Sequence, residues 1–135
     1  MNYADLKTKL LQEILDNIPS DSILGIMDFV DFEKDYKERF IPLQQFVIEN
    51  SFNMGFIQPE KYYRLSPLCI QFLKEQLSCM NAYLCHYMIF KGTDVQVAVL
   101  DSHIFEIKSS IRISDELIKV CEEEQIYVTK VDVID

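Results

Sequence analysis

The sequence predicts an α+β fold: an N-terminal helical part of about four helices packed on a small, mostly antiparallel sheet. Three observations predict it. Apolar residues before position 84 recur at three- and four-residue steps, the spacing of one helix face. Residues 84–108, LCHYMIFKGTDVQVAVLDSHIFEIK, are nearly all apolar and read as consecutive strands. Residues 114–134 then read as a helix followed by a strand, so the C-terminal half runs β-β-β-α-β.

The first helix spans about Tyr3 to Asn17, with Leu6, Leu10, Leu11 and Ile14 on its inner stripe. Pro19 disfavours helix at Ile18 and stops it. A second helix is expected from Ser22 to Glu38, capped by Asp21 or Ser22, with Ile23, Ile26, Met27 and Val30 inward. On its outer side Asp28, Asp31, Asp35 and Glu38 follow at helical steps and form an acidic stripe. A third helix is expected from Pro42, a favoured first position, to Met54, ended by Gly55. A brief strand is expected at Tyr62–Leu65. Ser66-Pro67 then opens a long fourth helix, with Cys69, Phe72, Leu73 and Leu77 on one side.

Gly92-Thr93 fits a two-residue hairpin turn with Gly first. That register sets Lys91 opposite Asp94, Phe90 opposite Val95, Met88 opposite Val97 and His86 opposite Val99. Alternation then gathers His86, Met88, Phe90, Val95, Val97 and Val99 on one face. The other face is also apolar, so the hairpin is expected to be covered on both sides. His103 to Lys108 forms a third strand after the Asp101-Ser102 turn. Ser114 caps the last helix, whose inner face is Leu117, Ile118 and Cys121. That helix ends on Glu122-Glu123-Glu124, where the helix dipole disfavours negative charge. Ile126 to Ile134 closes the chain as a strand. If it lies at a sheet edge, it can pair with a second copy.

A chain of 135 residues is expected to form a single α+β domain, helical over 1–83 and sheet over 84–135. It is 49% hydrophobic, and no apolar run reaches the length that spans a bilayer. The amphipathic N-terminus lacks the features of a signal peptide, and four cysteines without a CxxC suit a reducing compartment, so a cytoplasmic location is expected. The net charge of −9 repels phosphate and disfavours nucleic acid and anionic membranes, whereas it attracts basic proteins.

Residues 43–78 resemble the end of a winged-helix domain: a helix, then Gly55-Phe56-Ile57, then Tyr63-Arg64-Leu65-Ser66 leading into a helix. The resemblance implies a regulator or adaptor. Residues 40–60 contain no Lys or Arg, which a DNA-reading helix needs.

Catalytic and metal motifs are weak. Cys79, Cys85, His86, His103 and Cys121 have no zinc-type spacing, so no metal or cofactor is expected. Asp101-Ser102-His103 has the residue types of a triad, but neighbours in an extended chain point apart. Cys85 with His103 is a further nucleophile–base pairing without a motif. The leading expectation is a non-enzymatic acidic protein-binding module, in concrete form an immunity protein or intracellular inhibitor of a basic toxin. Its partner-facing residues are Asp28, Asp31, Asp35, Glu38, Glu122, Glu123 and Glu124. The alternatives are the winged-helix-like regulator and a small ligand-binding domain or enzyme with a pocket at His86 or His103.

Overall fold

In the computed structural model, residues 3–27, 41–48, 61–80 and 86–134 are described. Helix α1 spans Tyr3–Asn17, and β1 follows at Ile23–Ile26. A 3₁₀ helix at Ile41–Phe46 leads into β2 at Val47–Ile48. Strand β3 is Lys61–Arg64 and α2 is Pro67–Met80. Strands β4 (Tyr87–Lys91), β5 (Asp94–Leu100) and β6 (Ile104–Lys108) come next. Helix α3 (Asp115–Glu123) and strand β7 (Tyr127–Val131) complete the order.

The strands form one sheet in the order β2-β3-β1-β4-β5-β6-β7. Every pairing is antiparallel except β6 with β7, which α3 joins as a crossover. The α+β class and the mostly antiparallel sheet thus appear as expected, and so does the chain order of the last five elements. Helix α1 has the expected bounds because Leu6, Leu10, Leu11, Ile14 and Leu15 all face inward. Full burial of side chains of this size stabilises by about 1.5–3 kcal/mol each. Helix α2 opens as expected, with the Ser66 hydroxyl accepting from the Cys69 N–H at 3.2 Å.

The N-terminal part departs from expectation in three ways. Residues 23–26 are a strand, where a helix from Ser22 was expected. The run Ile-Leu-Gly-Ile sits between β3 and β4, and a strand covered on both faces loses its alternation. Its apolar spacing then imitates a helix, and Ser22 caps nothing. Its hydroxyl donates back to the Pro19 carbonyl at 2.5 Å, after Asp21 turns the chain with φ of 63°. Secondly, Ile41–Phe46 is a single 3₁₀ stretch running into a strand, not the start of a long helix. Thirdly, β3 is an inner strand bonded to both β2 and β1. The Gly55-Phe56-Ile57 part of the winged-helix-like pattern lies outside the described residues. The sheet thus draws three strands from the half expected to be helical, of which the one at Tyr62–Leu65 was expected.

The β4–β5 hairpin begins as expected. Gly92 adopts φ of 61° and Thr93 does not, Lys91 pairs with Asp94, and Phe90 with Val95. A bulge then shifts the register, so Ile89 pairs with Val97 and Tyr87 with Val99. Gln96 is the extra residue. It is buried, and its amide donates to the Asp94 carboxylate at 3.0 Å. Met88 therefore pairs with Ala98, and His86 is not across from Val99.

One face of the sheet lies under the helices. Leu24, Ile26, Tyr63, Tyr87, Ile89, Val97, Val99, Phe105, Ile107 and Val128 share a single core with the inner stripes of α1, α2 and α3. Helix α1 contacts both α2 and α3 within this layer. On the second face, Met88 and Val95 pack with Ile134, and the Tyr62 and Phe90 rings meet edge to face at 6.0 Å. That cover does not reach the far end of β5, β6 and β7, where Leu100, Ile104 and Tyr127 stay open.

Candidate functional site

The open end of the sheet is built by two local devices. The first is the α3–β7 junction. Ser114 caps α3 by accepting from the Leu117 N–H, and its own N–H donates to the Glu13 carboxylate of α1 at 2.9 Å. At the other end the Gln125 N–H donates to the Glu122 carbonyl and the Ile126 N–H to the Cys121 carbonyl. With Gln125 at φ of 64°, this is a Schellman ending, in which Ile126 packs back toward Cys121. The left-handed position is normally Gly, so Gln125 is strained there.

This ending holds Glu122, Glu123 and Glu124 outward. All three are exposed, and among the described residues no cation lies within ion-pair distance of them. Their backbone groups serve the helix ending while their side chains remain in solvent. The other expected partner-facing acids, Asp28, Asp31, Asp35 and Glu38, lie outside the described residues.

The second device is the β5–β6 turn. Asp101 and Ser102 both adopt left-handed backbone, with φ of 52° and 62°. The Asp101 carboxylate accepts from His86 Nε2 at 3.0 Å, and its carbonyl meets His103 Nδ1 at 2.6 Å. The His103 ring also lies 6.5 Å from the Tyr127 ring, and its carbonyl accepts the Tyr127 N–H at 2.8 Å. The two histidines thus brace the turn against β4 and β7. His86 is half-buried and bonded to the Asp101 carboxylate, which corrects its expected place on a wholly apolar face. Among the described residues no hydrogen bond joins the Ser102 hydroxyl to either imidazole, so the trio is not assembled as a triad.

Between the two devices runs an apolar row across the second face. Leu100 pairs with Ile104, and Ile104 with Tyr127. They are 42%, 38% and 49% exposed. Sequence reading placed these residues on strands but did not mark them as a surface. Alternation identifies a face without saying what covers it.

Clefts lie elsewhere among the described residues. One of about 190 Å³ separates α1 from α3 between Lys9, Glu13 and Val120. One of about 540 Å³ separates α1 from α2 beside the Lys74–Asp16 ion pair, and one of about 260 Å³ lies between Phe46 and Phe72. None of the three has a histidine in its wall. Burial pushes the Cys69 thiol up to about 12. Burial and then the nearby Glu13 carboxylate raise Cys121 as well. Both are therefore protonated, unreactive core thiols at neutral pH. Cys85 lies outside the described residues, as does the side chain of Cys79. Among the described residues no group of three or more His, Cys, Asp or Glu is placed to hold a metal ion, and no helix is long and apolar enough to cross a membrane. No protein-family model, no curated protein and no solved structure matches the chain.

Proposed function

We propose that the protein is a non-enzymatic, acidic protein-binding module and, in its most concrete form, an immunity protein that neutralises a basic toxin. One observation carries the reading. The unneutralised Glu122–Glu124 run leads directly into β7, whose first residue, Tyr127, ends the exposed apolar row. Apolar anchors with charge at their rim are the usual anatomy of a protein interface, and Tyr is enriched among its strongest contacts. A net charge of −9 supplies long-range attraction toward a basic surface.

The test is kinetic. A partner captured on the immobilised chain is purified, and its association rate is followed by stopped flow. The rate falls about tenfold or more as salt rises from about 0.05 to 0.5 M. Glu122→Gln/Glu123→Gln/Glu124→Gln together lower it by several-fold at low salt. A rate insensitive to both changes contradicts the reading.

A further inference from the structure

Among the described residues, β7 pairs with β6 and with no other strand. The Tyr127 N–H donates to the His103 carbonyl, and the Val131 carbonyl accepts from the Ser109 N–H at 2.7 Å. Backbone groups of successive strand residues point to opposite sides. The N–H and C=O of Val128 and Lys130 therefore face away from β6. An edge of this kind is a template for another strand, and natural edges are blunted with Pro, bulges or outward charges. Strand β7 reads Tyr-Val-Thr-Lys-Val, without Pro, and pairs with β6 in unbroken register. Its one cation, Lys130, is tied back to the Ile111 carbonyl.

The surroundings define what fits. Glu116, Leu117 and Val120 face the cleft with α1. At about 100° per residue, Asp115, Ile118 and Glu122 then fall on the opposite flank of α3, above the β7 edge. Beneath the sheet the edge offers Tyr127, Thr129 and Val131, with Ile104 and then Leu100 behind Tyr127, Glu106 behind Thr129 and Lys108 behind Val131. A strand added here has one side toward the carboxylates of α3 and the other beside Tyr127 and Val131.

We infer that the outer edge of β7 receives an extended segment of a basic protein partner in which Lys or Arg alternates with apolar residues. The inference rests on the basic-partner reading above and adds where, and in what conformation, the partner docks. The cations meet Glu122 and the helix side. The apolar residues lie beside Tyr127 and Val131. The free groups of Val128 and Lys130 supply the backbone hydrogen bonds that such strand addition uses for affinity.

An NMR titration of the full chain with a short alternating Lys–Val peptide tests this, with an alternating Glu–Val peptide as control. The Lys–Val peptide shifts amides over residues 126–132 and slows hydrogen exchange at Val128 and Lys130 by about tenfold or more. The Glu–Val peptide does neither, and Glu122→Gln weakens binding several-fold. Lys130→Pro, which removes an outward N–H without touching the β6 ladder, abolishes the protection. The wild-type measurement stands without that variant if it does not fold. Shifts spread over acids elsewhere, with no added protection at Val128, overturn strand addition and leave the basic-partner reading intact. Protection that rises with protein concentration in the absence of peptide overturns it too, because the edge is then filled by a second copy. Failure of the salt-dependence test defeats both readings together.

Discussion

Strands β5, β6 and β7 use their two faces differently. On the helix side Val97, Val99, Phe105, Ile107 and Val128 are sealed against the layer of α1 and α3. On the other side Leu100, Ile104 and Tyr127, from the same strands, remain 38–49% exposed. Along the open row the amino-acid types resemble those of the helix face, although Glu106, Lys108 and Thr129 share the open side. What differs is cover. The helix face is satisfied within the chain, whereas the open row leaves apolar surface in water beside an acidic helix end. Core and proposed interface are thus separated by the thickness of one sheet.

The comparison can be broken most forcefully at Phe105. Its ring is 2% exposed in the centre of the helix face, so Phe105→Ala should cost about 3–5 kcal/mol by chemical denaturation. A cost near that of a surface residue would mean the helix face is not the core. A gain of about 1 kcal/mol is expected from Gln125→Gly, because glycine relieves the left-handed position at the end of α3. No gain, measured by the same denaturation, would mean the junction is not held in that conformation.

Ile104→Ser, one residue before Phe105 but on the open face, should cost about 1 kcal/mol, well below Phe105→Ala, because its side chain is 38% exposed. It should still weaken a captured partner's affinity. A large stability loss would show that the row is part of the core.

The smallest effect concerns pH. The hydrogen bond from Lys108, at 2.5 Å, holds the exposed Asp94 carboxyl below its ordinary range, and Gln96 assists. A carboxylate whose folded pKa is depressed adds stability above its unfolded pKa and loses it as pH falls through the folded value. Lys108→Met should therefore differ from wild type at neutral pH and converge with it in acid. A difference that persists at the lowest pH would assign the effect to packing instead.

Much of the C-terminal half was legible because its signals are local. Gly92 marks the hairpin, Ser114 marks the cap of α3, and alternation marks β6. The bulge at Gln96 was not legible. A glutamine flanked by Val95 and Val97 reads as an ordinary strand position, and only the tertiary pairing shows it as the extra residue. Strand β1 was misread because burial on both sides erases the period-two pattern that would reveal it. Of the candidate site, Glu122–Glu124 stand out in the sequence through the conflict between their charge and the helix dipole. Leu100, Ile104 and Tyr127 do not, since exposure of an apolar residue depends on what packs over it and leaves no mark in the residue itself.

Amide hydrogen exchange on the free protein reads the outer edge of β7 most directly. Tyr127, Thr129 and Val131 face β6 and should exchange slowly, while Val128 and Lys130 should exchange about tenfold or more faster. That alternation along five residues is the predicted result. Uniformly slow exchange from Tyr127 to Val131 would show the edge already paired, and would contradict the account.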